Sequence, residues 1–297
     1  MILVVGATGH LGSEIVRRLR QRGEAVRGLV RTTSDPEKIA QLREAGAEVF
    51  TGNIRDRASL DGACKGVKTV ISTVTIIATA QPGDSFQDTD AAGTISLIEA
   101  AKDAGVDHFI FVSFDHSRFP DTPLTDAKRA VEHHLKEGGI DYTILHPPLY
   151  METWLGPHLF GDPNTGQVKI FGKGDGHVPY ISLNDVAEVA VRATSLPSAR
   201  NATIAFGGPE GISQNDAVRM FEEALGQPLT VTAIPEHALE NQWMAATNPF
   251  EKTFAGLMLG AARLDQDPVP MEPDLAFEMA TVREFANKTV HSTKGET

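Results

Sequence analysis

Ile2-Leu3-Val4-Val5-Gly6-Ala7-Thr8-Gly9-His10-Leu11-Gly12 opens the chain and decides its fold. Four apolar residues in a row read as a buried strand. Three glycines spaced G-x-x-G-x-x-G then make a tight turn. A helical pattern follows from His10 to Arg22, with Leu11, Ile15, Val16 and Leu19 on one face. Strand, glycine turn and helix in this order form a seat for a dinucleotide pyrophosphate. Gly6 turns the chain, Gly9 admits phosphate oxygens close to the backbone, and Gly12 lets helix and strand pack together. The free N–H groups at the helix start, around Thr8, His10 and Leu11, hold the anion with the positive end of the helix dipole. An ordinary strand–helix turn with glycines for packing alone is the competing reading.

Working outward, Ala25 to Val30 is the second strand and ends in Arg31-Thr32-Thr33-Ser34. A carboxylate at this tip would favour NAD, and an arginine beside hydroxyls would pair with a 2′-phosphate and favour NADP. Arg31 is therefore assigned to the NADP phosphate, against the alternative of a solvated arginine. Ser34 is expected to cap the next helix with Glu37 as its partner and Pro36 in the first turn. After a third strand, Ala47 to Phe50, Asn53 and Ile54 are placed beside the adenine; an Asx-type turn at Asn53 or Asp56 competes for the polar groups. Ser72 and Thr73 end the fourth strand, at the carboxyl edge where open α/β folds bind ligands. Ala78 to Asp84 reads as a mobile loop, followed by one long helix from about Asp88 to Ala104. A fifth strand, Asp107 to Ser113, a helix carrying Lys128, and a strand Asp141 to Leu145 complete the pattern. Pro147, closing that last strand, completes the candidate cofactor set.

Six parallel strands with five helical crossovers make an α/β fold, a doubly wound parallel sheet of the Rossmann kind. Residues 1–150 are expected to form the NADP-binding domain, with sheet additions from about 178–206. Residues 151–286 form a smaller mixed α/β C-terminal substrate lobe, and 287–297 a fraying polar tail. Ser182 with Asp185, and Ser213 with Asp216, are expected to open two helices of the later half.

Composition excludes several classes. The net charge is −12 and there is no basic stripe, so nucleic acid is not an expected partner. The sequence has no run of eighteen apolar residues, so no membrane span is expected, and because the first residues read as a strand no secretory leader is expected. Cys64 is the single cysteine and reads as a packed helix residue, which fits a reducing cytoplasm. The histidines are scattered and His133-His134 are adjacent, so no metal site is expected. Ser113, Asp115 and His116 lie too close in sequence for a nucleophilic triad. The chain is expected to act as a monomer or a homodimer.

Val5 to Gly12, Leu29-Val30-Arg31, Gly52 to Asp56, Lys128 with Glu132, Tyr142 to Leu145 and Pro179 to Val186 together resemble the NmrA-like branch of the atypical short-chain dehydrogenases, over most of residues 1–225. The resemblance implies an NADP-binding Rossmann domain with a small substrate lobe. It implies NADPH-dependent reduction of quinones, azo dyes, triphenylmethanes or phenylpropanoids; some members instead bind the cofactor without catalysis and act as redox-sensing regulators. It also implies that the Lys128 ammonium meets the nicotinamide ribose, which makes Lys128 the catalytic candidate.

One departure constrains the chemistry. Classical short-chain dehydrogenases carry Tyr-x-x-x-Lys, whose lysine lowers the tyrosine pKa. Leu124 stands four residues before Lys128, so the phenol mechanism is absent. Hydride transfer needs only a nicotinamide positioned against an acceptor. Candidate proton donors are His116, His146, Tyr150 and Tyr180. Tyr150, Trp154, Phe160 and Tyr180 either line a flat apolar pocket for a small aromatic substrate or form the core of the small lobe. Two functions follow: an NADPH-dependent reductase of a small aromatic, quinone-like or azo acceptor, or a non-catalytic NADP(H)-responsive regulatory or assembly protein.

Overall fold

The computed structural model describes residues 1–292. The elements up to the sixth strand are β1 (Ile2–Val5), α1 (His10–Gln21), β2 (Val26–Val30), α2 (Pro36–Glu44), β3 (Glu48–Thr51), α3 (Arg57–Ala63), β4 (Thr69–Ser72), a π-helix (Phe86–Gly93), α4 (Thr94–Asp103), β5 (His108–Val112), α5 (Pro123–Glu137) and β6 (Tyr142–His146). They are followed by α6 (Met151–Trp154), β7 (Gln167–Phe171), β8 (His177–Val178), α7 (Leu183–Ala193), β9 (Ala202–Ala205), β10 (Ile212–Ser213), α8 (Gln214–Leu225), β11 (Thr230–Ile234), α9 (Glu236–Ala245), α10 (Pro249–Arg263) and α11 (Val282–Ser292). The chain divides into two compact units, Met1–Phe114 with Pro123–His146 and Val186–Ile204, and Asp115–Thr122 with Pro147–Asp185 and Ala205–Thr297.

The first unit is built on a seven-stranded sheet in the order β3-β2-β1-β4-β5-β6-β9. Strands β1 to β6 pair in parallel throughout. The order reverses between β1 and β4, which is the topological switch point where doubly wound sheets bind ligands beyond the strand ends. β1, β4 and β5 are buried along their whole length, as strands covered by helices on both faces are; β1 is apolar throughout, while β4 and β5 also bury Thr69, Ser72 and His108. On one face Leu3, Val5, Val70, Phe109, Phe111 and Ile144 meet Leu60, Leu97, Ile98, Val131 and Leu135. Each such side chain contributes about 1.5–3 kcal/mol by leaving water.

Two local expectations change. The helix expected from Asp88 to Ala104 is a π-helix over Phe86–Gly93, capped by Ser85 accepting from the Asp88 N–H at 2.9 Å, that passes into α4. α2 is capped by Asp35, which accepts from the Glu37 N–H at 2.9 Å, and not by Ser34. Ser34 is engaged elsewhere: its hydroxyl accepts from the Arg31 N–H at 3.0 Å and pins the turn after β2.

The second unit has its own core. Phe160 and Phe221 stack 5.1 Å apart among Leu155, Val178, Tyr180, Ala286 and Val290. β7 pairs in parallel with β11, and β8 pairs antiparallel with β10. Ser213 and Asp216 form a reciprocal capping box at α8, and Ser182 accepts from the Asp185 N–H at 3.1 Å, as their spacing predicts. The polar stretch expected to fray is helical through residue 292, because Ala286 and Val290 are fully buried on the inner face of α11; the remaining tail residues 293–297 lie outside the described part. None of the described helices is long and apolar enough to cross a membrane.

Candidate functional site

The glycine turn has three distinct physical requirements. Gly6 has φ +87°, and a Cβ there would stand 2.5 Å from the Thr73 hydroxyl oxygen, so both backbone and space demand glycine. A Cβ on Gly12 would lie 2.1 Å from the Gly6 carbonyl oxygen, so close packing of α1 on the turn requires glycine there. Gly9 differs. Its φ of −76° and ψ of 163° suit any residue. A Cβ would meet only the Gly6 carbonyl oxygen, at 3.2 Å. The turn therefore does not itself impose glycine at position 9.

Gly9 is the N-cap of α1 and offers no side-chain cap, and the first turn of the helix carries no acidic residue. Its first-turn amides have no intrahelical acceptors, and Arg18 and Arg20 stand in its last turn, at the far end. Thr8 and Gly9 are half-buried and His10 is exposed at the crest, while the Leu11 side chain turns into the core. Ser72 and Thr73 end β4 next to this turn. The Ser72 hydroxyl is buried with no hydrogen-bond partner, and the Thr73 hydroxyl donates to the Val5 carbonyl at 3.2 Å. Pro147 falls in the second unit, one residue beyond β6.

Beyond β2 and β3 lies a pocket of about 410 Å³ lined among others by Arg31, Thr33, Asn53, Arg55, Gln81 and Asp84. Arg31 is not a solvated end: its Nη1 donates to Asp84 at 3.0 Å and its Nη2 to the Thr79 carbonyl at 3.3 Å. The 78–84 segment, expected to be mobile, is pinned by these bonds. Asn53 makes the Asx turn, its Oδ1 accepting from the Arg55 N–H at 3.0 Å, and Asp56 caps α3. Ile54 is buried.

At the carboxyl ends of β4 and β5 the first unit holds buried charge. Lys128 is 6% exposed; its ammonium donates to the carbonyls of Val112 at 3.0 Å and Val74 at 3.3 Å and lies 4.6 Å from the Phe111 ring centre. Burial pushes its pKa down, while Asp90 and Glu132 pull the other way. Asp90, in the π-helix, is equally hidden. Its Oδ2 accepts from the Ile76 N–H at 3.2 Å, and burial raises its pKa to about 6 against the attraction of Lys128. Glu132, one turn from Lys128, accepts from the Ser113 hydroxyl at 2.6 Å and is joined to His146 Nε2 at 2.9 Å. Sequence reading did not single out Asp90, Asp84 or Arg55; an aspartate inside an otherwise apolar helical stretch was the only available signal for Asp90.

The other candidates are sorted by packing. Phe160 and Tyr180 belong to the core of the second unit, and Trp154 packs edge-on against Phe171 at 6.1 Å. Phe160, Tyr180 and part of Trp154 are thus core of the second unit. Burial pushes the Tyr150 and Tyr180 phenols above their ordinary range. His116 sits in a short 3-10 turn capped by Asp115, and Ser113 is bonded to Glu132 and not to a histidine, so no triad forms. Cys64 is fully buried and burial raises its thiol to about 11, which leaves it unreactive. Among the described residues no three His, Cys, Asp or Glu side chains gather as a metal site.

A parallel sheet in this order, with a glycine turn at the end of its first strand, defines the Rossmann class of α/β proteins. The chain belongs to the NmrA-like family, which residues 1–282 match. It is 31% identical over 79% of its length to the Photosystem II assembly factor Ycf39 of a Synechocystis strain, covering 70% of that protein. It is 30% identical over 79% of its length to an NAD(P)H azoreductase of Xenophilus azovorans, covering 77% of it. It also resembles the structure of the NADPH-dependent quinone oxidoreductase QOR2 of Escherichia coli complexed with NADPH, with a TM-score of 0.77 at 23% identity over 97% of this chain and 99% of that one.

Proposed function

We propose that the protein binds NADP(H) at the glycine turn and transfers hydride from NADPH to a small aromatic, quinone-like or azo acceptor. The observation that carries the reading is Gly9, a glycine in a conformation that does not need one, at the mouth of an uncapped helix. An external group that comes against the backbone explains it, and an anionic pyrophosphate is the group that such a helix start attracts. Arg31 is the charge for the 2′-phosphate, and Asn53 and Ile54 flank the adenine. Lys128 has three N–H bonds, of which two are committed to Val112 and Val74, so the third is available to a ribose hydroxyl. NADPH, when bound, supplies the hydride. The chain's own task is to position the nicotinamide and to keep water out.

The azoreductase and quinone reductase relatives support this reading. The second reading, an NADP(H)-responsive assembly or regulatory protein, is favoured by one feature: buried Leu124 occupies the position where a catalytic phenol would precede Lys128. The assembly-factor relatives support it. One experiment separates them. Purified protein is mixed with NADPH and a panel of quinones and azo dyes, and the nicotinamide absorbance is followed. Multiple turnovers are expected; tight NADP(H) binding with no turnover on any acceptor would select the second reading. A reducing, cytoplasmic setting is part of the proposal and is supported by the single buried cysteine.

A further inference from the structure

Two guanidiniums converge on one carboxylate at the pocket beyond β2 and β3. Arg31 Nη1 lies 3.0 Å from Asp84 Oδ2, and Arg55 Nη2 lies 3.7 Å from Asp84 Oδ1. The Asp84 side chain is only 6% exposed, while those of Arg31 and Arg55 are 33% and 37% exposed. The carboxylate is thus the inner partner and the guanidiniums form the outer wall. The same short segment is held at three more points. Arg31 Nη2 donates to the Thr79 carbonyl, Arg55 Nη1 to the Gly83 carbonyl at 2.5 Å, and the Thr33 hydroxyl to Gln81 Oε1 at 2.6 Å. Two arginines and a threonine hydroxyl are the groups a phosphate monoester needs, and all of them are occupied by residues 79–84.

We propose that Asp84 is a specificity-determining residue of the cofactor site. Its carboxylate takes the anion position between Arg31 and Arg55, and a 2′-phosphate displaces it and frees the 79–84 segment. The inference rests on the reading of the glycine turn as the dinucleotide seat. A phosphate monoester carries about −1.5 to −2 charges and three acceptor oxygens, so it outcompetes a singly charged carboxylate for two guanidiniums. NAD(H) brings no such group and leaves the latch closed. A latch closed about nine-tenths of the time weakens the apparent NADP(H) affinity about tenfold. Arg55, which the glycine-turn reading does not include, becomes the second phosphate ligand.

The test is calorimetry with NADP⁺ and with NAD⁺ on the full chain, for wild type, Asp84→Asn and Arg55→Gln. Asparagine keeps an oxygen for the Gln81 N–H that Asp84 now accepts at 3.0 Å, so the local turn is retained. Asp84→Asn is expected to tighten NADP⁺ by about tenfold and to leave NAD⁺ within about twofold. Arg55→Gln, which loses one of two guanidiniums, is expected to weaken NADP⁺ alone. Hydrogen exchange across 79–84 is expected to rise with NADP⁺ and not with NAD⁺. Unchanged or weaker NADP⁺ binding by Asp84→Asn, or equal exchange with both nucleotides, overturns the latch while leaving the dinucleotide seat in place. Wild-type protein that binds neither nucleotide removes the seat itself, and the latch with it.

Discussion

Replacing Gly9 by alanine separates what the fold needs from what a ligand needs. At φ −76° and ψ 163° alanine is unstrained, and its Cβ would meet a single atom, the Gly6 carbonyl oxygen, at 3.2 Å. That contact requires a shift of a few tenths of an ångström. Alanine is a poorer helix N-cap than glycine, but it also has less unfolded-state freedom to lose, so the net change in folding stability is within about 1 kcal/mol. Against a bound pyrophosphate the methyl group has nowhere to go. Forcing it into a filled contact costs about 1–3 kcal/mol, or about 5- to 150-fold in Kd. The assay pairs urea unfolding with NADP⁺ calorimetry. Gly12→Ala is the control: its Cβ would lie 2.1 Å from the Gly6 carbonyl oxygen, so it is expected to lose stability and binding together. Gly9→Ala protein that is stable and binds NADP⁺ as tightly as wild type would refute the claim that phosphate touches this backbone.

Three further outcomes follow from buried groups. Thr143 donates its hydroxyl to the Ala199 carbonyl at 2.6 Å, so it must accept from His108 Nε2–H at 2.8 Å, which leaves His108 Nδ1 deprotonated and without a partner. Burial lowers this histidine from 6.5 to about 4, so its contribution to stability is complete above pH 6.5 and is lost as pH falls towards 4. The loss amounts to about 3 kcal/mol; urea curves for His108→Gln, whose amide can still donate to Thr143, should lack that part of the acid destabilisation, and parallel pH profiles would discount it. Lys128→Met leaves buried Asp90 and Glu132 without their cation and the Val74 and Val112 carbonyls without a donor, so it is expected to lower stability by about 3 kcal/mol, while NADPH oxidation by the protein that remains folded falls at least about tenfold. Unchanged turnover would make Lys128 a packing residue. Val290→Asp places a charge at a fully buried position of α11 and is expected to lower stability by about 3 kcal/mol or more, read as a lower urea midpoint; no shift would mean that α11 is not packed in solution.

The parts legible in the sequence are those set by short-range patterning. Ile2 to Gly12 announces strand, turn and helix because glycine spacing and apolar periodicity are both local, and the sheet order follows from alternating strands and helices under right-handed crossovers. The end of the chain was less legible. Residues after Asn287 are polar on average, yet Val290 is the inward position of a helix whose outer face alone carries the polar character. The 78–84 segment misleads in the opposite sense. Pro82 and Gly83 mark it as a loop, which it is, but looseness does not follow, because Arg31, Thr33 and Arg55, all distant in sequence, bind it.

α5 shows why the site itself is harder to read than the fold. Lys128 and Glu132 are opposite charges four residues apart, the pattern of a solvated helix surface. Here each points inward and finds separate partners: Lys128 the main-chain carbonyls of Val74 and Val112, Glu132 the Ser113 hydroxyl and His146. Helical periodicity sorts apolar from polar side chains, but it cannot sort polar groups that face water from polar groups that face strand ends. Burying them is tolerable because partners are supplied from outside α5, at the carboxyl edge of β4, β5 and β6. That edge is also where a parallel sheet leaves its last carbonyls without strand partners. An ammonium seated on those carbonyls satisfies them and is held rigid by them, so the burial of Lys128, which helical periodicity does not reveal, also fixes its position for whatever chemistry the edge supports.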